Sequence, residues 1–254
     1  MRLVRPAWRS SRAYLAGRAV EAHRLRRHAV ELGRRAGDAN VEFARLLHWA
    51  ISLADDRLED LDVEWHRERI RVSPAGLAYR AMYVWSLAAT GQEATARHEL
   101  ATQRAAGAAG SWPRDTNWLS AMKELSEAAL LLGEDSLGAE LEALLGPFAD
   151  RMVPSARGLL TMGSVAGALG RLAELRGDAR LAADRYTEAI EREEHAGALV
   201  WATHHRLRLA EILLRDGNDA ARPLLVRVAA DADAQGLRRV AERAAAAHTD
   251  RQEP

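Results

Sequence analysis

Four side chains in the last quarter of the chain are of types that could do chemistry. Glu191 and His195 lie four residues apart, and His204 and His205 follow Trp201. A Glu and a His at i, i+4 share one helix face and can hold one metal ion between them. Two ligands do not close a site, and neighbouring histidines on a helix point about 100° apart. Ordinary surface or groove histidines account for all three more simply. The chain has no cysteine, which excludes a thiol nucleophile, a Cys-ligated zinc or iron–sulfur centre and a disulfide framework. No G-x-S-x-G elbow is present, and no G-x-x-x-x-G-K-[ST] loop precedes Lys123. Gly158, Gly163, Gly167 and Gly170 are closely spaced, but on a helix that spacing serves close packing. A phosphate loop needs a strand before it, and none is predicted. These residues predict no catalytic group, no metal and no cofactor.

Charge gives a second set of candidates. Lys+Arg and Asp+Glu both total 36, and every basic residue except Lys123 is Arg. That usage, with the heavy use of Ala, is what a GC-rich coding sequence produces. Zero net charge excludes a chain that adheres to nucleic acid or anionic lipid over its whole surface. The balance is uneven, however: residues 1–35 carry +8, and residues 124–150 hold seven acidic side chains and no basic one. Solvated helix faces are the plain reading. A charge-complementary contact between copies, making a homo-oligomer, is the sharper one. Arg2, Arg5, Arg9, Arg12, Arg24, Arg26 and Arg27 form a basic stripe, but no motif or interleaved aromatic residues support nucleic-acid binding. No apolar core follows the Arg-rich start, and no stretch approaches the roughly 20 apolar residues of a membrane span. A soluble cytoplasmic protein with no membrane partner is expected.

The elements that must position these residues read as helix throughout. Apolar residues recur at steps of three and four, as in Leu159, Met162, Ala166, Leu169 and Ala173, and again in Leu207, Ala210, Leu213 and Leu214. Alternating β-branched and aromatic runs are missing. Pro74, Pro113, Pro147 and Pro154 fall between periodic segments, and Pro223 fits the first turn of a helix. Asp115 is the expected N-cap of the helix after Pro113, with Trp112 packing back across its start. Tight turns at Gly17-Arg18, Asp55-Asp56, Gly91-Gln92, Gly133-Glu134, Gly177-Asp178 and Gly217-Asn218 are separated by 38, 36, 42, 44 and 40 residues. Looser loops at residues 35–38, 73–74, 107–111, 150–154, 196–197 and 235–236 alternate with them. Two helices per period of about 40 make a helical solenoid. Six pairs and a closing helix near 237–247 predict an elongated single domain over 1–254.

The fifth pair carries a resemblance. Ala166, Leu169, Gly170 and Ala173, then Ala182, Tyr186 and Ala189, resemble the small/large pattern of a tetratricopeptide repeat. The sixth pair keeps Leu209, Ala210, Leu213, Val226 and Ala229, with Arg222 where a small residue is usual. The match covers residues 155–236 and is more degenerate before them. The resemblance implies an all-α, right-handed solenoid. The stretches 112–119 (Trp112 to Leu119), 162–166 (Met162 to Ala166) and 197–202 (Gly197 to Ala202) are similar to the C-terminal helical arm of actinobacterial multidomain ATPase regulators. Those are the large LuxR-type activators and the cyclase-linked ATPases. The likeness implies a transcription-regulatory sensor or scaffold role without chemistry of its own. The motor is absent, so the chain is either a stand-alone arm or a piece of a longer product.

In such stacks the first helix of each pair lines the concave side. The resemblance therefore places Trp85, Ser120, Lys123, Glu127, Ser164, Arg171, Glu174, His204 and Glu211 in a wet groove with charges of both signs. A peptide or a polar small molecule suits that groove. Lys123 and Arg171 would meet an anionic group, with His204 tuning the contact near neutral pH. The expected function is non-enzymatic binding of such a ligand or partner. The alternative is an enzyme that uses the groove as an active site for a small metabolite.

Overall fold

A computed structural model of the chain describes residues 4–36, 39–54, 57–72, 76–155, 158 and 160–249. The expected turns at Asp55-Asp56 and Ser73-Pro74, the Gly37-Asp38 part of a loop, Leu159 on its apolar face and Arg2 of the basic stripe lie outside them. Helix formers at three- and four-residue apolar spacing give thirteen α-helices among the described residues. Helices α1 (Val4–Leu15) and α2 (Ala19–Ala36) turn at Gly17, and α3 (Ala39–Ala54) leads to α4 (Val63–Val72). Then come α5 (Gly76–Ala89) with α6 (Glu93–Ala106), α7 (Trp118–Leu132) with α8 (Asp135–Leu145), and α9 (Val165–Leu175) with α10 (Ala179–His195). Helices α11 (Leu199–Arg215) and α12 (Ala221–Gln235) precede the closing α13 (Arg238–Thr249). The all-α expectation therefore holds. Gly133 shows how a turn is made: at φ 66° it ends α7, its N–H on the carbonyls of Ala129 and Leu130. Pro223 sits in the first turn of α12, where its missing N–H would have had no helical partner.

Helix α5 packs on α7 and α7 on α9, while α10 fills the space between α9 and α11. One apolar core runs through α5, α7, α9 and α11, with Ile51, Leu87, Met122, Leu125, Leu141, Met162 and Leu207 fully buried. A smaller cluster forms around Tyr186, Ala173, Ala182 and Ile212.

Three expectations change. The segment 160–164 is not the start of a helix: β1 (Met152–Ser155) and β2 (Leu160–Ser164) pair antiparallel, and α9 begins only at Val165. Met162 and Gly163 are thus strand residues, and only Gly167 and Gly170 of the four glycines serve helix packing. Asp115 does not cap a helix. Its Oδ1 accepts from the Asn117 N–H at 2.8 Å, an Asx turn just before the helix, which starts at Trp118 with Asn117 as N-cap. Finally, α1 and α3 both touch α11, and the turn at Gly17 meets Gln235. Helices from the start of the chain thus lie against α11, which the elongated open form expected would keep apart.

Candidate functional site

Lys123 and Glu127 stand one turn apart on α7, with Nζ 3.3 Å from Glu127 Oε1. The ammonium lies 4.1 Å from the ring centre of Trp85 on α5 and 5.1 Å from that of Trp201 on α11. Only 3% of Lys123 is exposed. Arg171 reaches across from α9 and places its Nε 2.8 Å from Glu127 Oε2. Glu174, one turn further along α9, takes Arg208 of α11 and the hydroxyl of Tyr186 on α10. Arg208 also donates to Glu211 at 2.9 Å, and Glu211 accepts two bonds from Arg243 of α13 at 2.7 and 2.8 Å. The result is a ladder of alternating charge across α7, α9, α11 and α13, with bidentate guanidinium contacts at its far end.

The ladder sets the protonation of its members. Burial alone would raise the Glu127 carboxyl, but Arg171 and then Lys123 hold it well below the usual carboxylate range. Arg171 is likewise held charged against its burial, chiefly by Glu127. Lys123 comes out on the other side: burial lowers its amine, and Glu127 and Glu124 oppose only in part. Glu124, also buried, is pushed well above the carboxylate range by desolvation. Arg171 is the partner that satisfies Glu127, so the amine is the less compensated charge.

A second cluster adjoins the first. Gly163 has φ 89°, and a Cβ there would stand 3.0 Å from Glu193 Oε1 and 3.5 Å from Trp201. That left-handed step swings the chain from β2 into α9. Ser164 then caps α9, its Oγ accepting from the Gly167 N–H at 3.2 Å. Ser164 also donates to Glu193 Oε1 from its N–H at 2.8 Å and its hydroxyl at 2.9 Å. Glu193, with no exposed surface, binds His205 Nδ1 through its other oxygen at 2.7 Å. The carboxylate therefore accepts from Nδ1–H and turns Nε2 toward Gly167, where a Cβ would lie 2.4 Å away. Tyr186 stacks on the same imidazole at 5.5 Å. Ser, Glu and His are all present, but the carboxylate is in the middle. The hydroxyl donates to Glu193 and not to the imidazole, so no nucleophile–base pair is formed.

Of the nine expected groove residues, Trp85, Lys123, Glu127, Arg171, Glu174 and Glu211 are joined in the ladder. Ser120 is buried and donates to the carbonyl of Asn117, the N-cap of its own helix. Ser164 belongs to the second cluster, and His204 tilts against Trp201 at 5.8 Å. The wet groove is corrected: Ser120, Lys123, Glu127 and Ser164 are buried, and Arg171 already faces two carboxylates. Lys123 and Arg171 are thus not offered to an outside anion. The acidic run is not a single solvated face either, since Glu124 and Glu127 are buried. Glu134 and Glu142 pair with Arg97 and Arg176.

Sequence reasoning missed Glu193, Arg208 and Arg243, and took His205 for an ordinary surface or groove histidine. Among the described residues no three His, Asp or Glu are grouped to hold a metal ion, and no helix is long and apolar enough to cross a membrane. Arg208 had a signal in its i, i+3 spacing to Glu211; Glu193 and Arg243 had none. No protein-family model matches the chain, and neither a curated protein nor a solved structure shows significant similarity to it.

Proposed function

We propose that the chain is a non-enzymatic recognition arm that binds a charged peptide segment or a polar small molecule. The observation that carries this reading is the ladder, whose first rungs, Lys123 and Glu127, are buried while Arg208, Glu211 and Arg243 toward its far end stay partly open to solvent. A ligand carboxylate can replace Glu211 on Arg208 or Arg243, and a ligand amine can replace an arginine on Glu211. Neither exchange needs a reacting group. A role as the sensor arm of a regulator, as the sequence resemblance implies, is compatible with the same reading.

The test titrates the full chain with three defined hexapeptides: all-Glu, all-Lys and alternating Glu-Lys. The alternating peptide is expected to bind best and to weaken with salt. Arg208→Gln with Arg243→Gln should cost it at least tenfold, and Arg24→Glu on the basic stripe should cost less than twofold. Loss with Arg24→Glu alone moves the surface to the N-terminal helices and overturns the reading.

One observation favours an enzyme instead: Lys123 and Glu124 are adjacent, buried and displaced toward neutrality from opposite sides. That reading requires turnover of a small metabolite that Lys123→Met abolishes with the fold unchanged.

A further inference from the structure

Where α6 hands over to α7, a cleft of about 390 Å³ opens beside Trp112 and Pro113. Arg80 of α5, Gln103 and Thr102 of α6, and Ser111 line the rest of it. Gln103 is 4% exposed, and its Nε2 donates to the Arg80 backbone carbonyl at 3.3 Å. That bond fixes the amide, because flipping it would set two oxygens against each other. Gln103 Oε1 is consequently left buried with no hydrogen-bond partner. A buried acceptor without a donor is uncommon in folded chains and asks for an explanation. The Thr102 hydroxyl donates to the His98 carbonyl and the Ser111 hydroxyl to the Ala108 carbonyl. Both therefore face a ligand only with lone pairs. The one cation is Arg80, with which no carboxylate pairs among the described residues.

The cleft thus presents one guanidinium with no carboxylate partner among the described residues, three oxygen acceptors and an apolar wall of Trp112 and Pro113. A matching ligand has a carboxylate, an N–H donor next to it and an apolar group. We propose that the cleft binds the α-carboxylate end of an apolar amino acid, either free or at the C-terminus of a peptide. Arg80 takes the carboxylate in a fork, Gln103 Oε1 accepts from the α-nitrogen, and the side chain lies on Trp112. The cleft shares no residue with the ladder, so this proposal stands or falls separately from the recognition-arm reading.

The experiment uses the whole chain, calorimetric titration and the Trp112 indole N–H resonance. Its probes are L-leucine, the tripeptide Ala-Ala-Leu and the same tripeptide as its C-terminal amide. At least one carboxylate probe should bind and shift the Trp112 signal, and the amide should bind at least tenfold more weakly. Binding of leucine alone identifies a free amino acid; binding of the tripeptide identifies a chain end. Arg80→Gln should bring the affinities of acid and amide within twofold of each other. Gln103→Leu should weaken the acid at least fivefold, and Trp112→Ala should weaken it without changing the acid-to-amide ratio. Three results overturn the proposal: neither acid binds at 10 mM, acid and amide bind alike, or Arg80→Gln leaves their ratio unchanged.

Discussion

At Gly170 the α9 backbone comes so close to α10 that a Cβ would stand 2.7 Å from the Tyr186 ring. Gly170→Ala should therefore destabilise by about 1–3 kcal/mol through overpacking, and Gly170→Leu by more, read as a fall in the urea midpoint. An unchanged midpoint would mean that Tyr186 can swing away. This contact was legible in the sequence, because small and large residues alternate at repeat spacing. The bond between His205 and Glu193 was not, since twelve residues and a helix turn separate them and no local pattern records which carboxylate a histidine will face. A different histidine contributes to the acid limb of stability. His66 lies between Trp49 and Trp65, and neither ring nitrogen has a hydrogen-bond partner. Burial lowers it to about 4, against 6.5 when exposed, with Asp62 opposing slightly. Between those values the unfolded chain takes up a proton that the native chain refuses. Stability should thus fall by about 3 kcal/mol as pH drops from 6.5 to 4. His66→Phe, of similar shape and without a titrating group, should flatten most of that slope in denaturation curves at pH 4, 5 and 6.5. His23 and His48 are lowered too and leave a residue of it.

The β1–β2 hairpin is where element-level reading failed. Met152–Ser155 and Leu160–Ser164 contain few β-branched residues, and their apolar spacing continues that of α9 without a break. What selects extended chain there is tertiary. The Trp201 indole donates to the Thr161 carbonyl at 2.9 Å, and Glu193 takes the Ser164 N–H and hydroxyl from the far side. Neither partner is close in sequence. Helix boundaries elsewhere were legible wherever a glycine marked them, as at Gly91, Gly177 and Gly217. Ser164 joins the two element types, so Ser164→Ala removes a helix cap and one of the bonds on a fully buried carboxylate together. The expected cost is about 2 kcal/mol. By contrast, Asp115→Ala breaks only an exposed turn and should cost under about 0.5 kcal/mol. Comparing the two thermal midpoints checks the ranking; equal losses would show that Glu193 is held without Ser164.

At the scale of the whole molecule, the meeting of α1 and α3 with α11 makes stability depend on residues nearly two hundred positions apart. Ser10 and Ser11 of α1 are buried, and Ser10 donates to the Ala22 carbonyl at 2.7 Å, so the hairpin that makes this contact is itself well fixed. Deleting residues 1–18 should raise hydrogen exchange in α11 as well as in α2. In an open stack only α2 would respond. Nothing in the sequence spacing announces this contact, because spacing records the order of the helices along the chain and not which distant helices meet. The same burial gives the chain an unusual chemical property. Its single ε-amine, Lys123, is shut between two indoles on a central helix. Acylating reagents and a lysine-specific protease therefore have one side-chain target, and the native fold withholds it. Cleavage after residue 123, giving two pieces of nearly equal size, should proceed only as fast as the centre of the molecule opens. A stopwatch for unfolding is thus built into the covalent chain, and no label is needed to read it.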